Sequence, residues 1–470
     1  MLTLNRKTKI VATIGPGSES KENFTKLLRA GVNVARSNMS HDDQAIHGAR
    51  IKNIRDVSKK ENIPVAVLVD LSGPKIRIGD FAEGTVELVA GAQFILSGKK
   101  CVGSVDKVYF SYPYIKKDIK PGQVLMLDDG KKKVVVTKVV GDDVYTTVVV
   151  GGTTKGRRGV NIPGAYLSIS ALTDKDKKDL SFAIAAGADF IALSFVRTGK
   201  DIEQLRARIQ KEGGNQTIVA KIETEEAVEN IDAIIAVSDA IMVARGDLAV
   251  EIGPEKVPMV QKMIVKKCNN LGKPVIVATQ MLESMINAPV PTRAEVSDVA
   301  NAIFDGTDAV MLSEETSLGK YAVEAVTTMH NVALQVEGGL DSHRRLKVQE
   351  DNRVDSVSSS VVHNAEDVHA TTIAAFTETG FTARMIARYK PKQPIVVFTW
   401  LDDVARKMLL SYGCYPIIIK RFKTIDIMLT AIGPTLIKEG FATKGDYVVL
   451  STGLPINTPI KTNSMIILTA

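Results

Sequence analysis

Cysteine is scarce in this sequence. Cys101, Cys268 and Cys414 are the only three, they lie far apart, and no CxxC pair occurs. An odd, dispersed set excludes a disulfide framework and a zinc cluster, and it suits a reducing cytoplasm. No stretch reaches the ~18 unbroken apolar residues a membrane helix needs, so no membrane partner is expected. The opening residues MLTLNRKTKI lack the apolar core of a secretory signal, and none is expected there. Low-complexity segments are missing too. Apolar residues make up 45% and charged residues 24% of the 470. That balance excludes a disordered or collagen-like chain. The one marked excess is a formal charge of +7, which suits either nucleic acid or a phosphorylated small molecule.

At roughly 150 residues per domain, this length suggests about three domains. Short apolar runs recur from Lys9 (KIVATIG), Val32, Val65, Phe190, Thr217, Ala240, Pro274 and Ala309. Brief, β-branched, nearly unbroken runs are the signature of parallel strands buried on both faces. Helical patterns lie between them, such as ENFTKLLRAG, which puts Phe24, Leu27 and Leu28 on one face and stops at Gly31. Most starts are spaced as single β/α units, and eight such units make a (β/α)8 TIM barrel. The long gap between Val65 and Phe190 marks an insertion. The expected organisation is therefore a barrel from residues 1–70 and 165–340, an inserted all-β lid at 71–164, and a C-terminal α/β domain at 341–470. The lid reads as short strands split by glycine, aspartate and lysine turns, and it carries 15 Lys/Arg against 9 Asp/Glu. Lys131–Lys133 reads as a solvated hairpin edge, and Lys155, Arg157 and Arg158 as the better anion candidates. Residues from about Glu337 to Ser356 read as a linker.

Barrel sites form where strands end at their C-terminal edge. Those ends carry Thr13, Arg36 and Asn38, Asp70, Ser194, Lys221 and Glu223, Arg245 and Asp247, Thr279 and Gln280, and Ser313 and Glu315. Any one of these is often only a salt bridge or a helix cap. So many charges on one rim are costly to bury without a ligand or metal. Glu223 and Asp247 end adjacent strands, and two hard oxygen ligands suit Mg2+ or Mn2+. Lys221 leaves the same strand face as Glu223, placing an ammonium where it neutralises a phosphoryl group in transit. The Arg245-Gly246-Asp247 triplet at a strand end argues against an adhesion motif.

Taken in order, TKIVATIGP, NMSH, DLSGPKIR, KIET, MVARGDLAVEI, ATQMLESM, PTRAEVSDVAN and DGTDAVMLSEET run along nearly the full length. The chain resembles the pyruvate kinase family. The resemblance implies phosphoryl transfer from phosphoenolpyruvate to ADP, the last step of glycolysis, with a barrel, a lid and an effector domain in a homotetramer. Carried over residue by residue, it implies that Arg36 contacts the substrate phosphate and Lys221 stabilises the transferring group. Glu223 and Asp247 ligate the metal. Backbone N–H groups of Ala244, Arg245, Gly246 and Asp247 hold the substrate carboxylate, and Thr279 faces the arriving proton. Arg77 and Arg158 meet the nucleotide phosphates near Asn38, Ser40 and His41. Asn38, Ser40, Asp70, Leu71 and Lys75 occupy the monovalent-cation site. With Leu71 and Lys75 replacing the family's Thr and Glu, K+ is expected to be dispensable. Thr377, Thr379, Gly380 and Thr382 form the cradle for the phosphate of a sugar-phosphate or nucleotide effector. Departures from the family pattern are Ser37, Met39, Arg158, Ala249 and Glu314.

Three other readings stand beside this one: another metal-dependent barrel enzyme of phosphoenolpyruvate or pyruvate, a low-activity regulatory paralogue, and a nucleic-acid binder. The lid lacks aromatics interleaved on a basic strand face, so no nucleic-acid partner is expected.

Overall fold

A computed structural model describes residues 6–340, 346, 352–458 and 460–470. Eight parallel strands close into a barrel: Lys9–Thr13, Val34–Asn38, Ala66–Leu71, Phe190–Leu193, Thr217–Ile222, Ala240–Ala244, Val275–Ala278 and Ala309–Leu312. Each pairs with its neighbour in sequence, and the first closes on the eighth. Most are buried along their whole length. Helices cover one face and packed side chains the other, so each strand reads as an apolar run. The helix Lys21–Ala30 buries the expected Phe24, Leu27 and Leu28, is capped by Ser20, and stops at Gly31 with φ 117°.

Between the third strand and the helix Asp174–Ala185, the chain builds a six-stranded sheet and a two-stranded ribbon. They enclose their own core around Phe94, Phe110 and Tyr112. Lys132 departs from the solvated edge expected for its run. It is buried and paired with Asp128 at 2.6 Å, while Lys131 is exposed. A period-2 strand turns alternate lysines inward, and a turn aspartate neutralises the inner one.

The C-terminal sheet runs Cys414–Ile418, Ile395–Thr399, Thr372–Phe376, Tyr447–Thr452 and Ser464–Thr469, with the last strand antiparallel. Helix Arg353–Asp367 starts within the last residues of the expected linker, where the Asn352 side chain caps it. Most of the expected linker lies outside the described residues. Leu409 and Leu410 join the barrel's interior layer beside Val11, Leu68, Phe190 and Met242. Around them, Lys9 Nζ donates to the Cys414 carbonyl at 2.7 Å, and Lys390 pairs with Asp308 at 2.8 Å. The N-terminal end of the barrel is thereby sealed, and chemistry is left to the opposite rim.

Candidate active site

At the C-terminal rim, Asp70 is the hub. Asn38 pairs with Asp70 in register, and Arg36 sits two residues earlier on the same strand face. Arg36 donates to the Asp70 carboxylate from Nε at 2.8 Å and from Nη2 at 2.7 Å, and from Nη1 to Thr13 Oγ1 at 2.8 Å. On the other side, Lys221 Nζ lies 3.3 Å from Asp70 Oδ1, 2.9 Å from Glu223 Oε1 and 2.7 Å from Ser194 Oγ. Asp70, Lys221 and Glu223 are all buried. Burial opposes the charge on Asp70, but Lys221 and Arg36 outweigh it and hold its carboxyl below the usual range. Burial likewise works against the Lys221 ammonium, and Asp70 and Glu223 reverse that. Glu223 goes the other way. Burial raises its pKa, Lys221 pulls it down, and the charge of Asp247 raises it again.

That repulsion tests the fit of a metal. A buried Glu223 that feels the charge of the half-buried Asp247 would be relieved by a hard divalent cation, and Mg2+ or Mn2+ would complete its shell with waters and substrate oxygens. Among the described residues, no group of three or more His, Cys, Asp or Glu is arranged to hold a metal. A closed zinc-type cage does not fit; an open two-carboxylate site does. Glu223 is aimed by Phe195, whose N–H donates to Oε2 at 2.7 Å from a backbone with φ 54°. Beside the pair, a cleft of about 220 Å³ opens between lid and barrel, lined in part by Lys75, Gly159, Asn161, Phe195, Asp247 and Glu251. Glu251 accepts from Asn161 of the lid at 3.1 Å, and burial pushes its carboxyl up to about 7.

Helix Arg245–Ile252 starts directly after the sixth strand, so its first N–H groups face the rim. One of them already has a partner: Gly246 N–H donates to Thr279 Oγ1 at 2.8 Å, and that hydroxyl donates to the Ala278 carbonyl at 2.5 Å. Thr279 lies just past its strand with φ 74°, a left-handed conformation unusual for a β-branched residue.

The remaining predicted residues fall at distinct places. Asn38 Oδ1 accepts from Ser40 N at 3.1 Å, and Ser40 and His41 are exposed on the following loop. Arg77 donates to the Arg157 carbonyl at 2.8 Å and Arg158 approaches Asp128 at 3.3 Å, both within the lid. Leu71 is in the core. Lys75 is exposed and passes over Gly159, where a Cβ would come within 3.3 Å of its Cε. Thr377 and Thr382 are buried in the C-terminal unit, with Thr382 Oγ1 at 2.7 Å from Thr462 Oγ1. Gly380, not a threonine, caps the helix Phe381–Ala387. Its φ of 76° favours glycine, and a Cβ here would also push the end of the Met408 side chain aside.

One departure from the family pattern has a structural explanation. Ser37 Oγ lies 2.7 Å from His47 Nδ1, and His47 Nε2 lies 2.8 Å from the His41 carbonyl. A carbonyl only accepts, so Nε2 carries the proton and Nδ1 receives the Ser37 hydroxyl. His47 is almost fully buried, and burial lowers its pKa. Ser37→Ala leaves that nitrogen unpaired and is expected to cost about 1–3 kcal/mol, read from the urea midpoint. An unchanged midpoint would remove the pairing from consideration. The folded imidazole binds its proton less readily than the unfolded one, whose pKa is near 6.5. The stability this contributes is full above that pH and is lost as pH falls through the lowered folded value.

Sequence reasoning missed Phe195, His47, Asn161 and Glu251, because a backbone donor or a second-layer partner has no motif of its own.

A family model described as "Pyruvate kinase, barrel domain" matches residues 5–326, and one described as "Pyruvate kinase, alpha/beta domain" matches residues 355–468. A protein named pyruvate kinase from Clostridium acetobutylicum is 44% identical over 466 residues, covering 98% of each chain. A namesake from Geobacillus stearothermophilus is 44% identical over 98% of this chain and 80% of its own. One from Bacillus licheniformis is 46% identical over 95% and 78%.

Proposed function

The chain belongs to the pyruvate kinase family and is a phosphotransferase of glycolysis, and from that premise we propose that the Arg36–Asp70–Lys221–Glu223 cluster transfers the phosphoryl group of phosphoenolpyruvate to ADP. The observation that carries the reading is a buried ammonium, Lys221, held 2.9 Å from the carboxylate of Glu223 and within one cluster with the Arg36 guanidinium. Two buried, preorganised cations meet the negative oxygens of a phosphoryl group without reorganising.

Arg36 orients the phosphate, and Lys221 neutralises charge on the group as it moves. Glu223 and Asp247 would hold Mg2+ or Mn2+, which when bound would supply positive charge to the transferring phosphoryl group. The substrate carboxylate takes Gly246 N–H from Thr279 and docks at the start of the helix. Freed from that bond, the Thr279 hydroxyl faces the enolate and its proton arrives there through water. The lid closes over ADP and excludes water that would otherwise accept the phosphoryl group. Asn38, Ser40, His41, Arg77 and Arg158 receive the nucleotide. Positioning and charge stabilisation carry most of the rate in such a transfer.

K+ is dispensable in this reading, since the charge of Asp70 is already taken up by Arg36 and Lys221 and Lys75 adds a cation at the cleft. A coupled assay with phosphoenolpyruvate, ADP and Mg2+ in potassium-free buffer is expected to show ATP formation within about twofold of the rate with KCl. A steep K+ requirement would defeat the cation argument, and no ATP under either condition would defeat the function. The Thr377–Thr382 loop is the effector cradle and the homotetramer the working assembly, both on family grounds. No helix among the described residues is long and apolar enough to cross a membrane.

A further inference from the structure

Arg245 begins the helix at the rim, yet its side chain turns away from the cleft and spans three elements. Nη2 donates to the Thr279 carbonyl at 2.7 Å and Nε to the Ala278 carbonyl at 3.3 Å. Nη1 donates to Asp298 Oδ1 at 2.7 Å, and Nη2 lies 2.7 Å from Asp298 Oδ2, a two-pronged pair with the helix Arg293–Asp305. The carbonyls it holds belong to the end of the seventh strand, where Thr279 and Gln280 have φ of 74° and 54°. Successive non-glycine residues in the left-handed region persist only where surrounding contacts impose them. The Arg245 fork is such a contact, and the planar guanidinium reaches several acceptors at once because its donors are fixed in one plane.

We infer that Arg245 and Asp298 act as a positioning pair: Asp298 aims the guanidinium, which holds the Thr279 backbone left-handed and so presents the Thr279 hydroxyl to the Gly246 N–H, and to the reacting centre once the substrate carboxylate has taken that N–H. This rests on the functional reading above, with Thr279 beside the arriving proton. Neither side chain of the pair takes part in binding the substrate: that of Arg245 is spent on the Ala278 and Thr279 carbonyls and Asp298. Asp298 is more than a third exposed and its partner nearly buried, with side-chain exposures of 37% and 13%. Its loss therefore relaxes the aim of Arg245 more than it empties a core. A reacting group displaced by about 1 Å costs on the order of 100-fold in rate.

The test uses the full chain with Asp298→Ala, Asp298→Asn and Arg245→Lys. Two rates are followed: coupled ATP formation, and exchange of pyruvate methyl protons for deuterium in D2O with ATP and Mg2+, read by proton NMR. Asp298→Ala is expected to lower kcat and the exchange rate together by about 10- to 100-fold, with KM for ADP within about twofold and the melting temperature nearly unchanged. Asp298→Asn, which still accepts a hydrogen bond, recovers part of both rates. Arg245→Lys does not, since a point charge cannot bridge three acceptors. A folded Asp298→Ala chain with unaltered exchange overturns the pair's role, as does a loss of melting temperature and both KM values that Asp298→Asn fails to mend. A wild-type chain that forms no ATP and exchanges no protons sinks the functional reading and the pair with it. Where the wild type is competent in both, a failure of the variants to respond counts against the positioning pair alone.

Discussion

Lys221→Met is expected to lower kcat by about 10³- to 10⁵-fold in a chain that still folds, the range seen when a cation aimed at a transferring phosphoryl group is removed. The side chain is 11% exposed, and its ammonium is bonded to Ser194 and flanked by Asp70 and Glu223. Inside that environment its charge acts at low effective dielectric, so it stabilises developing negative charge far more than an exposed lysine would. Methionine keeps the length and bulk of the stem, which separates loss of charge from loss of packing. Steady-state kinetics read kcat, and circular dichroism with a thermal melt reports the fold. The variant leaves Glu223 with less compensation, so some loss of melting temperature is expected as well. A kcat within tenfold of wild type would show that the ammonium is only a structural counter-ion.

The second large effect is on stability. Asp70→Asn removes the one negative charge that Arg36 and Lys221 share. Asp70 is 1% exposed, and Arg36 is itself buried. Breaking a buried ionic cluster by removing one partner costs about 3–5 kcal/mol, because a surviving charge is left uncompensated; here that charge is Arg36, since Lys221 keeps Glu223 at 2.9 Å. A shift of the denaturant midpoint with unchanged slope is the expected reading, since the change lies in the native state. Activity falls too, because a neutral amide oxygen aims Arg36 less firmly than the charged carboxylate that now holds its Nε and Nη2. The pH dependence has a definite sign. The folded Asp70 carboxyl is depressed below its ordinary value of about 3.9. The stability it contributes is present above that value and disappears as pH falls through the folded one. A midpoint unmoved by Asp70→Asn would mean that water, not Asp70, screens the two cations.

Much of this site is legible in the chain. Lys221 and Glu223 are two residues apart on a strand, so one face carries both whatever the fold. The long gap before Phe190 announces the insertion. The burial of Lys132 was not legible, since a basic run carries no mark of which member meets Asp128 across the turn. Nor was the fit of Ser37 to His47, which needs the strand and the next helix side by side. Leu409 and Leu410 carry no mark in the sequence of what they meet, and only docking at the floor of the barrel gives them their place beside Val11 and Leu68.

The sequence by itself determined which segments become strands, their order, and the chemistry waiting at their ends, because apolar period and residue type are local properties of the chain. Tertiary structure alone decided which charges meet. Asp70 reaches both Arg36 and Lys221 because the closed barrel sets neighbouring strands in one register. Coulomb energy depends on separations of a few ångströms that no spacing in sequence records.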